Sequence, residues 1–210
     1  MITRLLIVLN IVGFLWEISV GGSGVLSGNI PNNSRINDGL LAPIAITQYH
    51  QYYRFFTSAF LHGSIIHIGV NMLSLFWLGR FIEAVLGSPR MLFIYIASII
   101  GAGVGVVLFS PPLAGTLGAS GAIFGLFGAL FAIGLKLGHR GGELVRSNIG
   151  ILILNLVFSF SFPGISWQAH IGGLITGFLL TLVIFWPPQP VRTRVFDPTT
   201  GAEYESQLES

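Results

Sequence analysis

The sequence predicts an all-α protein of the membrane: six hydrophobic helices crossing a bilayer as one polytopic bundle, with both termini on the cytoplasmic side. Three observations predict it. Hydrophobic residues make up 52% of the 210 and charged residues only 9%, whereas a soluble domain carries about 25% charged. So few charges cannot cover a water-facing surface. Apolar stretches of roughly the 17–25 residues that a spanning helix needs recur six times, punctuated by Pro and Gly. The basic residues also segregate. With a cytoplasmic N-terminus, Arg4, Arg80, Arg90, Lys136, Arg140, Arg146, Arg192 and Arg194 fall inside and only Arg35 and Arg54 outside, a positive-inside distribution.

Composition also excludes. The apolar content argues against disorder. The net charge is only +2 and no basic run marks a nucleic-acid partner. The absence of cysteine removes disulfides, thiol nucleophiles and Cys-based metal sites.

The first span, about 4–20, follows Arg4 as a signal peptide would, but no A-x-A-like cleavage site follows, so it is expected to stay in place. Residues 21–57 form a long outer loop. The second span, about 58–79, carries His62, His67 and Asn71 near its start. The third, about 91–109, holds Gly101-x-x-x-Gly105, which reads as packing. "SPPLAG" leads into the fourth, about 119–137, which opens on Gly118-Ala119-Ser120-Gly121. The fifth, about 147–162, is short. "SFPGIS" leads into the sixth, about 167–186, with His170 near its start. Residues 1–186 thus form one six-span domain. Past "WPPQP", residues 187–210, with Glu203, Glu205 and Glu209, read as a solvated cytoplasmic tail. No repeat suggests an inverted-repeat transporter.

Ionisable residues inside spans are expensive and point to function. The second, fourth and sixth spans all enter from the outer side, so His67, Ser120 and His170 lie at similar shallow depths. Asn71 lies about 6 Å deeper than His67 at 1.5 Å per residue. His67 and Asn71 are four apart and share a helix face. His170, Gly173 and Gly177 share another, and Gly173-x-x-x-Gly177 permits close helix approach. Small residues around Ser120 offer a matching surface. Taken alone, Ser120 reads as packing, or as a bond back to the preceding turn. Four polar residues from three helices at one face of the membrane read as a site. A metal centre from His62, His67 and His170 is disfavoured: no carboxylate accompanies them, and His62 and His67 are about 140° apart round a helix. No metal and no cofactor is expected.

These residues resemble the rhomboid family of intramembrane serine proteases. "GASG" at 118–121 resembles the family's nucleophile motif and "AHIGGLITG" at 169–177 its histidine motif. "HGSIIHIGVN" at 62–71 resembles its two histidines and asparagine. "LGRFIEAVLG" at 78–87 places Glu83 at the usual glutamate, and "YRFFTSAFLH" at 53–62 resembles a segment that usually begins Trp-Arg. Two positions depart: Tyr53 replaces that tryptophan, and Phe124 stands where some members have a tyrosine against the histidine.

The resemblance implies a Ser–His dyad, with Ser120 the nucleophile and His170 the general base and acid. It implies an oxyanion site from His67, Asn71 and the Ser120 backbone N–H. Supporting roles fall to His62, Arg54, Glu83, Phe124 and the small residues Gly118, Gly121, Gly173 and Gly177. Partners would be the lipid bilayer and transmembrane protein substrates. The expected location is a prokaryotic plasma membrane, with the active site on the outer side. The acids agree with a dyad: none lies in the fourth or sixth span, and of the outer two, Glu17 and Asp38, neither has a matching family role. A non-catalytic relative lacking the dyad is disfavoured because both residues are present. A channel is disfavoured because the polar residues gather on one side. Zinc and aspartyl intramembrane proteases lack their motifs here: there is no H-E-x-x-H, and Asp38 is the only Asp before Asp197.

Overall fold

A computed structural model describes residues 1–31, 35–161, 165–187, 192–196 and 203–207. Helix α1 runs Ile2–Gly21. Two 3₁₀ turns, Ser23–Ser27 and Arg35–Gly39, and two short helices, α2 (Pro43–Thr47) and α3 (Arg54–Ser58), organise the long loop after α1. Then come α4 (Ile65–Ser74), a π turn (Leu75–Gly79), α5 (Arg80–Leu86), α6 (Ser88–Phe109), α7 (Ser120–Lys136), α8 (His139–Ser161) and α9 (Trp167–Ile184). In the tail, β1 (Arg192–Phe196) pairs antiparallel with β2 (Glu203–Gln207), Arg192 facing Gln207.

Among the described residues, four helical stretches are long and apolar enough to cross a membrane: Ile2–Gly21, Ile65–Leu86, Ser88–Phe109 and Trp167–Ile184. Helix α7 is apolar but shorter, at 17 residues. Outward-facing side chains such as Leu108, Phe109 and Val183 are each about two-thirds exposed. That pattern suits a lipid surround rather than water.

Helix ends differ from the expected spans at two places. The second stretch, expected at 58–79, lies in a helix that begins at Ile65 and continues to Leu86. Residues 58–64 look apolar enough to join it, but Gly63 adopts φ +51°, a left-handed conformation that interrupts a helix. Ser64 then caps the new start, its Oγ accepting the His67 N–H at 3.2 Å. His62 therefore precedes the helix rather than opening it. The fifth stretch, expected at 147–162, lies in a 23-residue helix that starts at His139. Its first turns carry Glu143 and Arg146, polar residues that a search for apolar runs passes over. Its end, and "SFPGIS" after it, fall partly outside the described residues.

Helix α7 is the centre of the bundle: every residue from Gly121 to Leu130 is buried. The stripe His170, Gly173, Gly177 and Thr181 of α9 is buried as well. The two backbones touch along that stripe. A Cβ at Gly173 would overlap the Gly121 carbonyl, and one at Gly177 the Gly125 carbonyl. Gly172 meets Gly101 of α6 in the same way, so α6 and α9 form a second small-residue seam.

Helix α1 is tied to α5 at its N-terminal end. The Glu83 carboxylate accepts from the Met1 amine (2.5 Å), the Ile2 and Thr3 N–H groups (2.7 and 3.1 Å), and the Thr3 and Ser88 hydroxyls (2.7 and 2.6 Å). It thereby satisfies N–H groups that no helix can pair internally.

Candidate active site

The segment before α7 is held from the long loop after α1. Leu41 and Thr116 exchange backbone hydrogen bonds of 3.0 and 2.8 Å, and the Gly118 N–H donates to the Ser58 carbonyl at 2.8 Å. Arg54 braces that loop. Its Nη1 donates to the Asn37 and Leu40 carbonyls, both at 2.8 Å, and its Nε to Gln51 Oε1 at 2.6 Å. Gly118 takes φ +124°, which a side chain would strain, and Ser120 follows as the first residue of α7. There its backbone N–H has no intrahelical carbonyl to meet, and the positive end of the helix dipole surrounds it.

On the facing turn of α9, His170 Nε2 lies 2.7 Å from Ser120 Oγ. That is the distance of a hydroxyl donating to a neutral ring nitrogen. The His170 ring stacks on Phe124, with centroids 4.1 Å apart and planes 8° from parallel. Phe124 comes one turn after Ser120, so one helix carries both the hydroxyl and the platform for its partner.

The opposite wall belongs to α4. The His67 ring packs against Gly118. A Cβ at Gly118 would stand 2.8 Å from His67 Nε2 and 3.6 Å from Ser120 Oγ. The other ring nitrogen, Nδ1, donates to the His62 carbonyl at 3.0 Å. That bond fixes the tautomer: in the neutral ring Nε2 holds a lone pair, and it donates only when the ring carries a second proton. One turn further, the Asn71 amide donates to the His67 carbonyl at 3.0 Å. An amide nitrogen has two N–H bonds, so a second one remains for the cavity.

Ser120, His170, Phe124, His67, Asn71, Gly118 and Gly121 all line one cavity of about 390 Å³. Ser58, Ser64, Ser74 and Ser166 add polar groups to its lining, which contains no carboxylate among the described residues. The other residues singled out by sequence stand behind this lining. Gly173 and Gly177 form the α7–α9 seam, Arg54 holds the loop after α1, and Glu83 anchors α1. His62 is fully buried behind His67, with ring centroids 5.2 Å apart.

Sequence reasoning passed over one contributor and left another without a role. Ser166 caps α9 just ahead of His170, its Oγ accepting the Ala169 N–H at 3.3 Å. A serine just before an apolar run is the signal that marks it. Glu17 is fully buried on α1 and accepts the His62 and Gly63 N–H groups at 2.7 and 3.0 Å. An acid inside the first span is itself a signal, but its partners are backbone atoms, so no residue pattern names them.

Comparison with known proteins identifies the family. Residues 49–187 match the rhomboid domain. The chain is 36% identical over 191 residues to the rhomboid protease GluP of Bacillus subtilis (strain 168), an alignment covering 88% of this chain and 35% of that protein. It is 33% identical over 160 residues to the rhomboid protease GlpG of Yersinia pestis (strain Pestoides F), covering 75% of this chain and 56% of that one. The chain thus spans about a third of the first relative and just over half of the second.

Proposed function

The chain belongs to the rhomboid family, and from that membership we propose that it is an intramembrane serine endopeptidase cutting single-span membrane proteins within or near their transmembrane segment. The observation that carries the reading is the 2.7 Å approach of Ser120 Oγ to His170 Nε2 in the lining of one cavity.

Ser120 Oγ attacks the scissile carbonyl carbon as His170 Nε2 takes its proton. The tetrahedral intermediate then collapses. The C–N bond breaks, and the Nε2 proton passes to the leaving amine. Water, deprotonated by the same nitrogen, attacks the acyl-serine and regenerates the hydroxyl. The Phe124 face steadies the ring and favours the imidazolium that forms midway. The developing oxyanion is met by the Ser120 N–H, the second Asn71 N–H and His67. His67 Nδ1 is committed to the His62 carbonyl, so donation from Nε2 requires the ring to take up a second proton as the oxyanion forms. Donors of this kind are each worth about 2.7–4 kcal/mol.

The spans of this reading are α1, the α4–α5 stretch, α6, α7, α8 and α9, with both termini cytoplasmic. The membrane is a prokaryotic plasma membrane and the dyad faces its outer side. Helix α7 is about 25 Å long at 1.5 Å per residue, short of a hydrocarbon core of about 30 Å. Ser120, at its end, is therefore recessed from the surface that the longer neighbours reach. The cavity over it admits water where irregular backbone is tolerated. A substrate helix shields its own peptide bonds, so it must unwind to be cut, and Gly or Pro near the cleaved bond eases that.

The test is reconstitution in vesicles with a single-span substrate, comparing wild type with Ser120→Ala and His170→Ala. Both variants should lose cleavage by at least 10³-fold, and a fluorophosphonate should label wild type but not Ser120→Ala. Equal cleavage by Ser120→Ala would sink the reading.

A further inference from the structure

Glu17 is a fully buried carboxylate that the dyad does not use. Its two oxygens accept the N–H groups of His62 and Gly63. The Gly63 N–H and the His62 carbonyl are the two ends of one peptide unit, and that carbonyl accepts His67 Nδ1–H at 3.0 Å. A continuous chain of hydrogen bonds therefore runs from the carboxylate, through a single peptide plane, to the imidazole beside Ser120. Charge at one end of such a chain polarises every bond along it. A carboxylate on the N–H end strengthens the carbonyl's hold on Nδ1–H. The same carboxylate fixes the loop at Gly63, whose left-handed backbone (φ +51°) sets the direction of the carbonyl.

We propose that Glu17 is a positioning residue for the oxyanion site, acting on His67 through the His62–Gly63 peptide. The inference rests on the serine-protease reading above. It gives the otherwise unassigned acid of α1 the duty that a triad acid has toward its histidine. Here the duty is directed at the oxyanion histidine, and a peptide group stands between. Only a two-oxygen acceptor serves. Glutamine at this site keeps the volume but turns an amide NH₂ against one of the two backbone donors, leaving that N–H unpaired.

Turnover of Glu17→Gln, measured in vesicles on the single-span substrate, should fall about tenfold, a part of the 10²–10³ that a whole oxyanion donor is worth. The fall should lie in kcat. In a His67→Ala background the same substitution should change turnover less than twofold, because the relay then has no terminus. A tenfold fall in both backgrounds would reduce Glu17 to a structural role, and wild-type turnover in Glu17→Gln would overturn the proposal outright. A second measurement needs no variant at position 17. In wild-type protein labelled with ¹⁵N-histidine, the His67 signal, assigned by its loss in His67→Ala, should show a protonated Nδ1. An unprotonated Nδ1 would break the relay. Failure of the protease reading looks different: Ser120→Ala would cleave normally while the Nδ1 signal stayed protonated.

Discussion

The two walls of the cavity are built by opposite means. Ser120 and His170 stand on α7 and α9, whose backbones meet with no side chains between them, at Gly121 against Gly173 and Gly125 against Gly177. Van der Waals contact along that seam sets the 2.7 Å of the dyad. His67 and Asn71 stand on α4, a helix whose Ile66 and Val70 also line the cavity and are more than half exposed. They are aimed by hydrogen bonds to a loop and to their own helix. A nucleophile and its base need a constant separation, which a steric seam supplies. In the proposed mechanism the oxyanion donors would meet an atom that arrives with the substrate, and a polar relay fixes direction without requiring tight packing. The seam should therefore fail by one methyl group too many, and the relay by one missing donor.

Gly173→Val tests the first half and should have the largest effect. Its Cβ alone would overlap the Gly121 carbonyl, and the γ-methyls enlarge the clash. Overpacking of this kind costs about 1–3 kcal/mol where neighbours can shift, and a backbone carbonyl in a buried helix cannot shift far. Cleavage and fluorophosphonate labelling should both vanish, and the unfolding midpoint in detergent should drop. Retained labelling would show that the dyad does not depend on the seam.

Asn71→Ala tests the second half. It deletes an amide that donates to the His67 carbonyl, which already belongs to the helix ladder, so about 1 kcal/mol of stability is at stake. Turnover should fall about 10²-fold, the lower bound for one oxyanion donor, with the unfolding midpoint almost unmoved. The contrast with Gly173→Val is the diagnostic: there rate and stability fall together, and here rate falls alone. A matching loss of stability in Asn71→Ala would erase the distinction between the walls.

The same division explains what is legible in the sequence. Spans and seams are written in hydropathy and side-chain volume, so the apolar stretches, "GASG" and Gly173-x-x-x-Gly177 can be read directly. The pairing of Ser120 with His170 follows from that seam, together with the shared membrane face that the hydropathy pattern predicts. The start of α4 cannot be read this way, because residues 58–64 look like the span they precede and only the backbone of Gly63 separates them. The start of α8 hides in polar turns that belong to the helix but not to an apolar run. Glu17 and Arg54 are harder still. Each works by binding backbone atoms, which every residue offers alike. Their residue types are visible, but their targets emerge only from the fold.

The smallest effect belongs to Phe124, which sits between the two modes: it is part of α7, yet it acts on His170 through its ring face. Phe124→Leu keeps an apolar side chain of similar bulk and removes the stacking surface at 4.1 Å. Aromatic pairs are worth about 0.5–1.5 kcal/mol beyond their burial, which corresponds to roughly a two- to twelvefold loss of rate if the contact steadies the imidazolium in the transition state. Phe124→Tyr, which keeps the ring, should retain most of the wild-type turnover. The seam is untouched in both variants, so fluorophosphonate labelling should persist in each, slowed in the leucine variant alone. Full turnover in Phe124→Leu would mean that the α7–α9 seam orients His170 without help. The dyad wall would then be purely steric, and the contrast with the α4 wall sharper than the stacked ring suggests.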